Sequence, residues 1–211
     1  MPSNLPLLSV LFAALLALLF SPSLLSTSHT LSVEILATPV FVRDKALDYN
    51  FVRGALIRGG VPFDTMILKR NEHTFGAIHA KRNEMLEVEV PGEGIKRKAR
   101  VLRNRAGDFA YWEVLGMRVW GFGQEGVLHT VRFVKVEVEG DSGKKMTRLE
   151  YEKRWKGSLV AWGLGRSRLL SAAGSGGVRS TEEKGGLQGL RAEIEMAYKE
   201  EKERWGSSRY E

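Results

Sequence analysis

Between Ile95 and Leu159, apolar and polar side chains alternate in four long runs separated by turn residues, which predicts an antiparallel sheet. Ile95, Ala99 and Val101 alternate with Lys96, Lys98 and Arg100, and Arg97 interrupts the pattern from the apolar side. Asn104 to Gly107 predicts a turn, Phe109 to Leu115 an aromatic and β-branched strand, and Val127 to Val138 a strand long enough to cross a sheet. Gly140-Asp141-Ser142-Gly143 has hairpin-turn chemistry. The last run puts Thr147, Leu149, Tyr151 and Trp155 on one face and Arg148, Glu150, Glu152 and Arg154 on the other. One face is therefore a core or cavity wall, and the other meets water.

The flanks are read by the same rules. Leu31 to Val42 predicts a strand that enters a corner at Ala37-Thr38-Pro39, and the spacing of Ala46, Leu47, Phe51, Val52, Ala55 and Leu56 predicts a helix from Asp44, its cap, to Arg58. Thr65 to Leu68, Thr74 to His79 and Met85 to Val90 are short strand candidates. Ser167 to Gly186, with its Gly174-Ser175-Gly176-Gly177 run, predicts a flexible loop. A stripe of Leu187, Leu190, Ile194, Ala197 and Tyr198 then predicts a helix ending near Trp205, with Glu195 to Lys199 and Glu200 to Arg204 as supporting pairs.

The first 33 residues contain no Asp, Glu, Lys or Arg, and Leu5 to Phe20 is almost wholly Leu, Ala, Val and Phe. Residues 1–28 are therefore expected to be a signal peptide or a single-pass membrane anchor, placing the protein at a membrane or in the secretory pathway. Ser26-Thr27-Ser28 supplies small residues for cleavage, whereas extending the apolar run through Leu25 gives a helix long enough to span. Arg43 and Lys45 follow the run and no Lys or Arg precedes it, which favours a cytosolic body if the segment is an anchor. The chain has no cysteine and no Asn-x-Ser/Thr sequon, two absences that point the same way.

Four short motifs occur in a telling order. Pro91-Gly92 precedes Arg100-Val101-Leu102; Phe109-Ala110-Tyr111-Trp112 follows; then come Gly126 with His129, Val131 and Phe133, and finally Trp155-Lys156-Gly157-Ser158-Leu159. This order resembles the START and polyketide-cyclase-like superfamily, SRPBCC, whose members have the helix-grip fold. The resemblance implies an α+β fold in which a curved antiparallel sheet wraps around a long C-terminal helix, here preceded by an N-terminal hydrophobic helix. In that arrangement residues 31–166 form the sheet with a short helical insertion, 167–186 the loop, and 187–206 the closing helix. The sequence departs from the family pattern in one chemically notable place: Lys153 stands where an inward Glu is common.

Such a fold implies a cavity for an apolar molecule or lipid between sheet and helix. The candidate lining residues are Trp112, His129, Val131, Phe133, Tyr151, Lys153, Trp155, Ile194 and Tyr198, with Val88, Val101 and Ala110 also expected to face the helix. His129 and Lys153 carry the useful chemistry, since a buried imidazole orients a carbonyl or moves a proton and a desolvated amine does likewise or pairs with an acidic group. Two functional readings stay open: a hydrophobic-ligand carrier, and a cyclase- or dehydratase-like enzyme. No residue is assigned as catalytic, and no cofactor is expected.

Composition narrows the alternatives. The four histidines have no metal-ligand spacing, and no phosphate-binding glycine loop or nucleophile motif is present. The net charge of +7 raises nucleic acid as a partner, but no recognition motif accompanies it, and acidic residues lie among the basic ones of the Lys81 to Arg105 region. With an apolar segment on the same chain, the basic excess fits an anionic lipid surface better.

Overall fold

The computed structural model describes residues 5–20, 25–59, 68–69, 76–89, 96–114, 126–137, 145–157 and 176–205. Seven antiparallel strands form one curled sheet in the order β1-β7-β6-β5-β4-β3-β2. These are β1 (Leu25–Ile35), β2 (Leu68–Lys69), β3 (Met85–Glu89), β4 (Lys96–Arg105), β5 (Asp108–Val114), β6 (Gly126–Val136) and β7 (Met146–Gly157). The helices are α1 (Leu5–Phe20), α2 (Pro39–Ala46), α3 (Tyr49–Gly59) and α4 (Gly176–Trp205). A half-barrel sheet carrying a long C-terminal helix is an α+β helix-grip fold, as expected.

The concave face is read from the register. Leu31 lies opposite Tyr151, Tyr151 opposite Val131, and Val131 opposite Phe109; one row on, Val33, Leu149 and Phe133 are aligned. All of these are buried, and Leu187, Leu190 and Ile194 of α4 belong to the same apolar cluster. The helix packs on β1 and across α2 and α3, with the Tyr198 ring edge-on to Phe41 at 5.0 Å between centroids. Lys45 Nζ donates to Glu201 Oε1 at 2.8 Å, and Glu195 Oε1 accepts from the Leu36 backbone at 3.0 Å and from Arg191 Nε at 3.0 Å. Glu195 thus ties the helix to the corner after β1 and turns back towards Arg191.

Several expected elements are corrected. The first strand ends at Ile35, because Pro39 occupies the first turn of α2, where its missing N–H costs nothing. The single expected helix is broken at Leu47–Asp48, and Asp48 caps the second piece by accepting from the Asn50 and Phe51 amides. Within the expected strand Thr74 to His79, Ala77–His79 instead forms a turn of 3-10 helix, and a Cβ on Gly76 would lie 1.9 Å from the Leu47 carbonyl oxygen. The hairpin between β4 and β5 turns at Ala106-Gly107, so Asn104 and Arg105 remain in the strand. Helix α4 begins at Gly176, eleven residues before the expected start at Leu187, so part of the expected loop is helical. Pro91-Gly92, Gly140 to Gly143 and Ser158-Leu159 lie outside the described residues.

The N-terminal segment is described in two pieces. Leu25 to Ser28 belong to β1, where Ser26, Thr27 and Ser28 lie opposite Lys156, Trp155 and Arg154. Leu25, the end of the extended apolar run, and Ser26-Thr27-Ser28 thus lie in a strand. The 16 residues of α1 measure about 24 Å at 1.5 Å per residue, short of an apolar bilayer core of about 30 Å. Among the described residues no helix is long and apolar enough to cross a membrane.

Candidate functional site

The concave face changes character between its two ends. Under α4 it is apolar; towards β4 it carries a connected string of polar side chains. Arg97 Nη1 donates to Glu113 Oε1 at 2.9 Å, Glu113 Oε2 lies 2.8 Å from His129 Nε2, and His129 Nδ1 lies 2.6 Å from the Tyr151 hydroxyl. Glu113, His129 and Tyr151 are buried and Arg97 is partly so. The Tyr111 ring stacks on the imidazole at 4.5 Å and 6°.

Register explains why these residues meet. Glu113 lies opposite Ala99 on β4 and Val127 on β6, while Tyr111, His129, Lys153 and His29 form one row across β5, β6, β7 and β1. Arg97 precedes Ala99 by two positions and so shares its face. Lys153 is buried in that row.

The carboxylate assigns one proton of the ring. Nε2–H donates to the Glu113 carboxylate, and the Tyr151 hydroxyl completes the set in either state of the ring, donating to Nδ1 of a neutral imidazole or accepting from Nδ1–H of an imidazolium. Burial by itself would raise the Glu113 carboxyl, but hydrogen bonds and charge from His129 and then Arg97 outweigh it and hold the group below its ordinary value. A proton leaving Tyr151 has an acceptor in His129, and the resulting imidazolium has a carboxylate beside it.

The expected site residues divide. His129, Val131, Phe133, Tyr151 and Lys153 line the concave face, as do Val88 and Val101, and Ile194 is fully buried in the core cluster. Tyr198 packs on α2, and burial raises its phenol above the ordinary value. Trp112 and Ala110 are corrected to the convex face, opposite Leu128 and Thr130. Alternation along β5 turns Phe109, Tyr111 and Glu113 inward, and Trp112 covers Gly126, where a Cβ would lie 2.5 Å from its ring. Trp155 is in register with Thr27 and Val127, and its side chain is outside the described ones. Glu113, Tyr111 and Arg97 were not among the candidates. Arg97 on the apolar side of β4 was the available signal, since a cation on an inward face calls for a carboxylate there.

Among the described residues no group of His, Asp and Glu could hold a metal ion. Comparison with known proteins yields folds alone. No family model and no curated protein matches the sequence. Solved structures align over most of the chain: truncated norcoclaurine synthase from Thalictrum flavum at 10% identity and a TM-score of 0.46, covering 83% of this chain and 94% of that one. The Mll3558 protein from Rhizobium loti aligns at 17% identity and a TM-score of 0.43, over 80% and 97%.

Proposed function

We propose that this chain is an SRPBCC-type helix-grip domain that binds a hydrophobic small molecule or lipid on the concave face of its sheet, at a membrane to which α1 attaches it. The observation that carries the reading is the buried string Arg97, Glu113, His129 and Tyr151, with Lys153 on the same face. A buried ionic network gains less stability than well-packed apolar side chains of similar volume. Its place in an otherwise apolar wall fits a ligand that is mainly hydrophobic and carries one polar group, which the string orients.

Mass spectrometry of small molecules released from the purified full-length chain tests this. An apolar compound bearing a carbonyl, hydroxyl or acidic group is expected in the wild type, with reduced occupancy in Tyr151→Phe and Lys153→Met. A protein that folds normally and carries no such compound, and takes none up from a lipid extract, would refute the reading.

The string itself favours a second reading, an enzyme of the cyclase or dehydratase type. There Tyr151 would pass its proton to His129 with Glu113 stabilising the imidazolium, a general-base pattern. Turnover of the co-purified compound, lost in Glu113→Gln while binding persists, would select the enzyme over the carrier.

A further inference from the structure

The convex face holds a feature that the ligand reading leaves unused. Strand β4 has an irregularity between Val101 and Arg103: Val101 lies opposite Tyr111, yet Arg103 lies opposite Ala110. The extra residue is Leu102, and it shifts the alternation of everything after it. Arg103 and Arg105 are thereby turned outward. Asn104 turns inward, where its side chain accepts from Arg43 and donates to the Ala77, Ile78 and Ala80 carbonyls. The same place is braced by the turn Lys81 to Glu84, in which Asn83 adopts a positive φ of 67° and donates its amide to the Val101 carbonyl at 2.7 Å.

The bulge and the turn together build a groove of about 650 Å³ on the convex face. Lys81, Arg82, Arg103 and Arg105 stand around it, and Leu102, Ala110 and Leu128 line it. Arg103 is paired with Asp108 at 2.8 Å; among the described residues no carboxylate pairs with the side chains of Lys81, Arg82 or Arg105. Leu102 is 37% exposed, an apolar side chain held in water among cations. A soluble phosphate would use the charges and leave the leucine wet. An anionic phospholipid uses both, its headgroup taking the cations and its glycerol and upper chain the apolar floor.

We infer that this groove is the surface by which the domain lies on an anionic membrane. The inference rests on the membrane part of the reading above and is independent of what the concave face binds. It adds a second contact to that of α1, whose Val10, Leu11, Phe12 and Leu15 are exposed. It also orients the domain, convex side down, with the inner face turned away from the bilayer.

The test is co-sedimentation of the full-length chain with phosphatidylcholine vesicles, with and without phosphatidylserine. Neutral vesicles report what α1 contributes; the gain on adding phosphatidylserine reports the groove. That gain should vanish at high salt and fall about twenty-five-fold in Arg82→Gln/Arg105→Gln, at roughly fivefold per charge removed. Leu102→Ser should reduce it as well. Lys199→Gln/Lys202→Gln, which removes the same charge from α4, should leave it unchanged. Weak binding to neutral vesicles with a full phosphatidylserine gain would count against α1 as an anchor and still support the groove. Equal binding to both vesicle types, or a gain untouched by the Arg82/Arg105 variant, would overturn the inference. So would displacement from the vesicles by inorganic phosphate or by a DNA duplex at concentrations below that of the accessible phosphatidylserine.

Discussion

The two ends of the concave face solve the same burial problem by opposite means. At the α4 end, Leu31, Val33, Ile35, Phe133 and Leu149 share one apolar cluster with Leu187, Leu190 and Ile194, stabilised in proportion to the area removed from water, about 25 cal/mol per Å². Towards β4, Arg97, Glu113, His129 and Tyr151 are stable only as a complete set, because each buried polar atom needs its neighbour. The apolar end tolerates changes of shape at moderate cost. At the polar end, deleting one member leaves its buried neighbour without a partner.

The sharpest way to break the apolar end is Ile194→Asp. It places an unpaired carboxylate in the core, at a cost of several kcal/mol, about the whole stability of an ordinary domain. Loss of the cooperative transition in circular dichroism is the expected result, and a parental Tm would mean that α4 does not close the sheet.

At the polar end, Glu113→Ala removes the one carboxylate between Arg97 and His129 and should cost about 3–5 kcal/mol in denaturant unfolding. Replacing the ionic pair together, as Arg97→Met with Glu113→Leu, should recover much of that loss. If the single variant were as stable as the parent, the string would be ornamental and its use in ligand binding would lose its support.

A pH titration separates the two ends without mutation. The Glu113 carboxyl is held below its ordinary value of 4.5, so its unfolded form binds protons first as pH falls. Its contribution is therefore fully present above the ordinary value and is lost as pH drops through the lowered folded value. Wild type should lose stability in that acid window, and Glu113→Gln should lose less across it. Identical acid profiles would place the carboxylate at its ordinary value and deny the strong coupling to His129 and Arg97.

Smaller effects sharpen the boundary between the two ends. Tyr151→Phe leaves His129 Nδ1 without its hydroxyl and should cost about 1–3 kcal/mol. Glu195→Ala should cost about 1 kcal/mol, because its carboxylate accepts the Leu36 amide at the corner after β1. Purely surface pairing would give Glu195→Ala a smaller loss.

How much of this was legible before the fold was known depends on the kind of signal. The strand runs of β4 to β7 and the stripe of α4 stood out because a period of two or 3.6 is a property of neighbouring residues. The face of β5 did not. Trp112 is the larger aromatic, and hydrophobicity along that strand pointed inward with it, whereas the register sends Glu113 in and Trp112 out over Gly126. Only a partner on another strand makes a buried glutamate affordable.

The sequence by itself determined antiparallel strands, an amphipathic C-terminal helix, an apolar N-terminal segment, and His129, Tyr151 and Lys153 on the inward face, since alternation and composition are local; closure of the sheet by that helix came from the family resemblance. Tertiary structure decided the rest: that Leu25 to Ser28 belong to a strand, that Arg97 and Glu113 complete a hydrogen-bonded string, and that the irregularity at Leu102 turns Arg103 and Arg105 outward. The physical reason is common to all three. Each depends on which backbone lies alongside, and pairing between strands far apart in the chain leaves no period in the sequence of either.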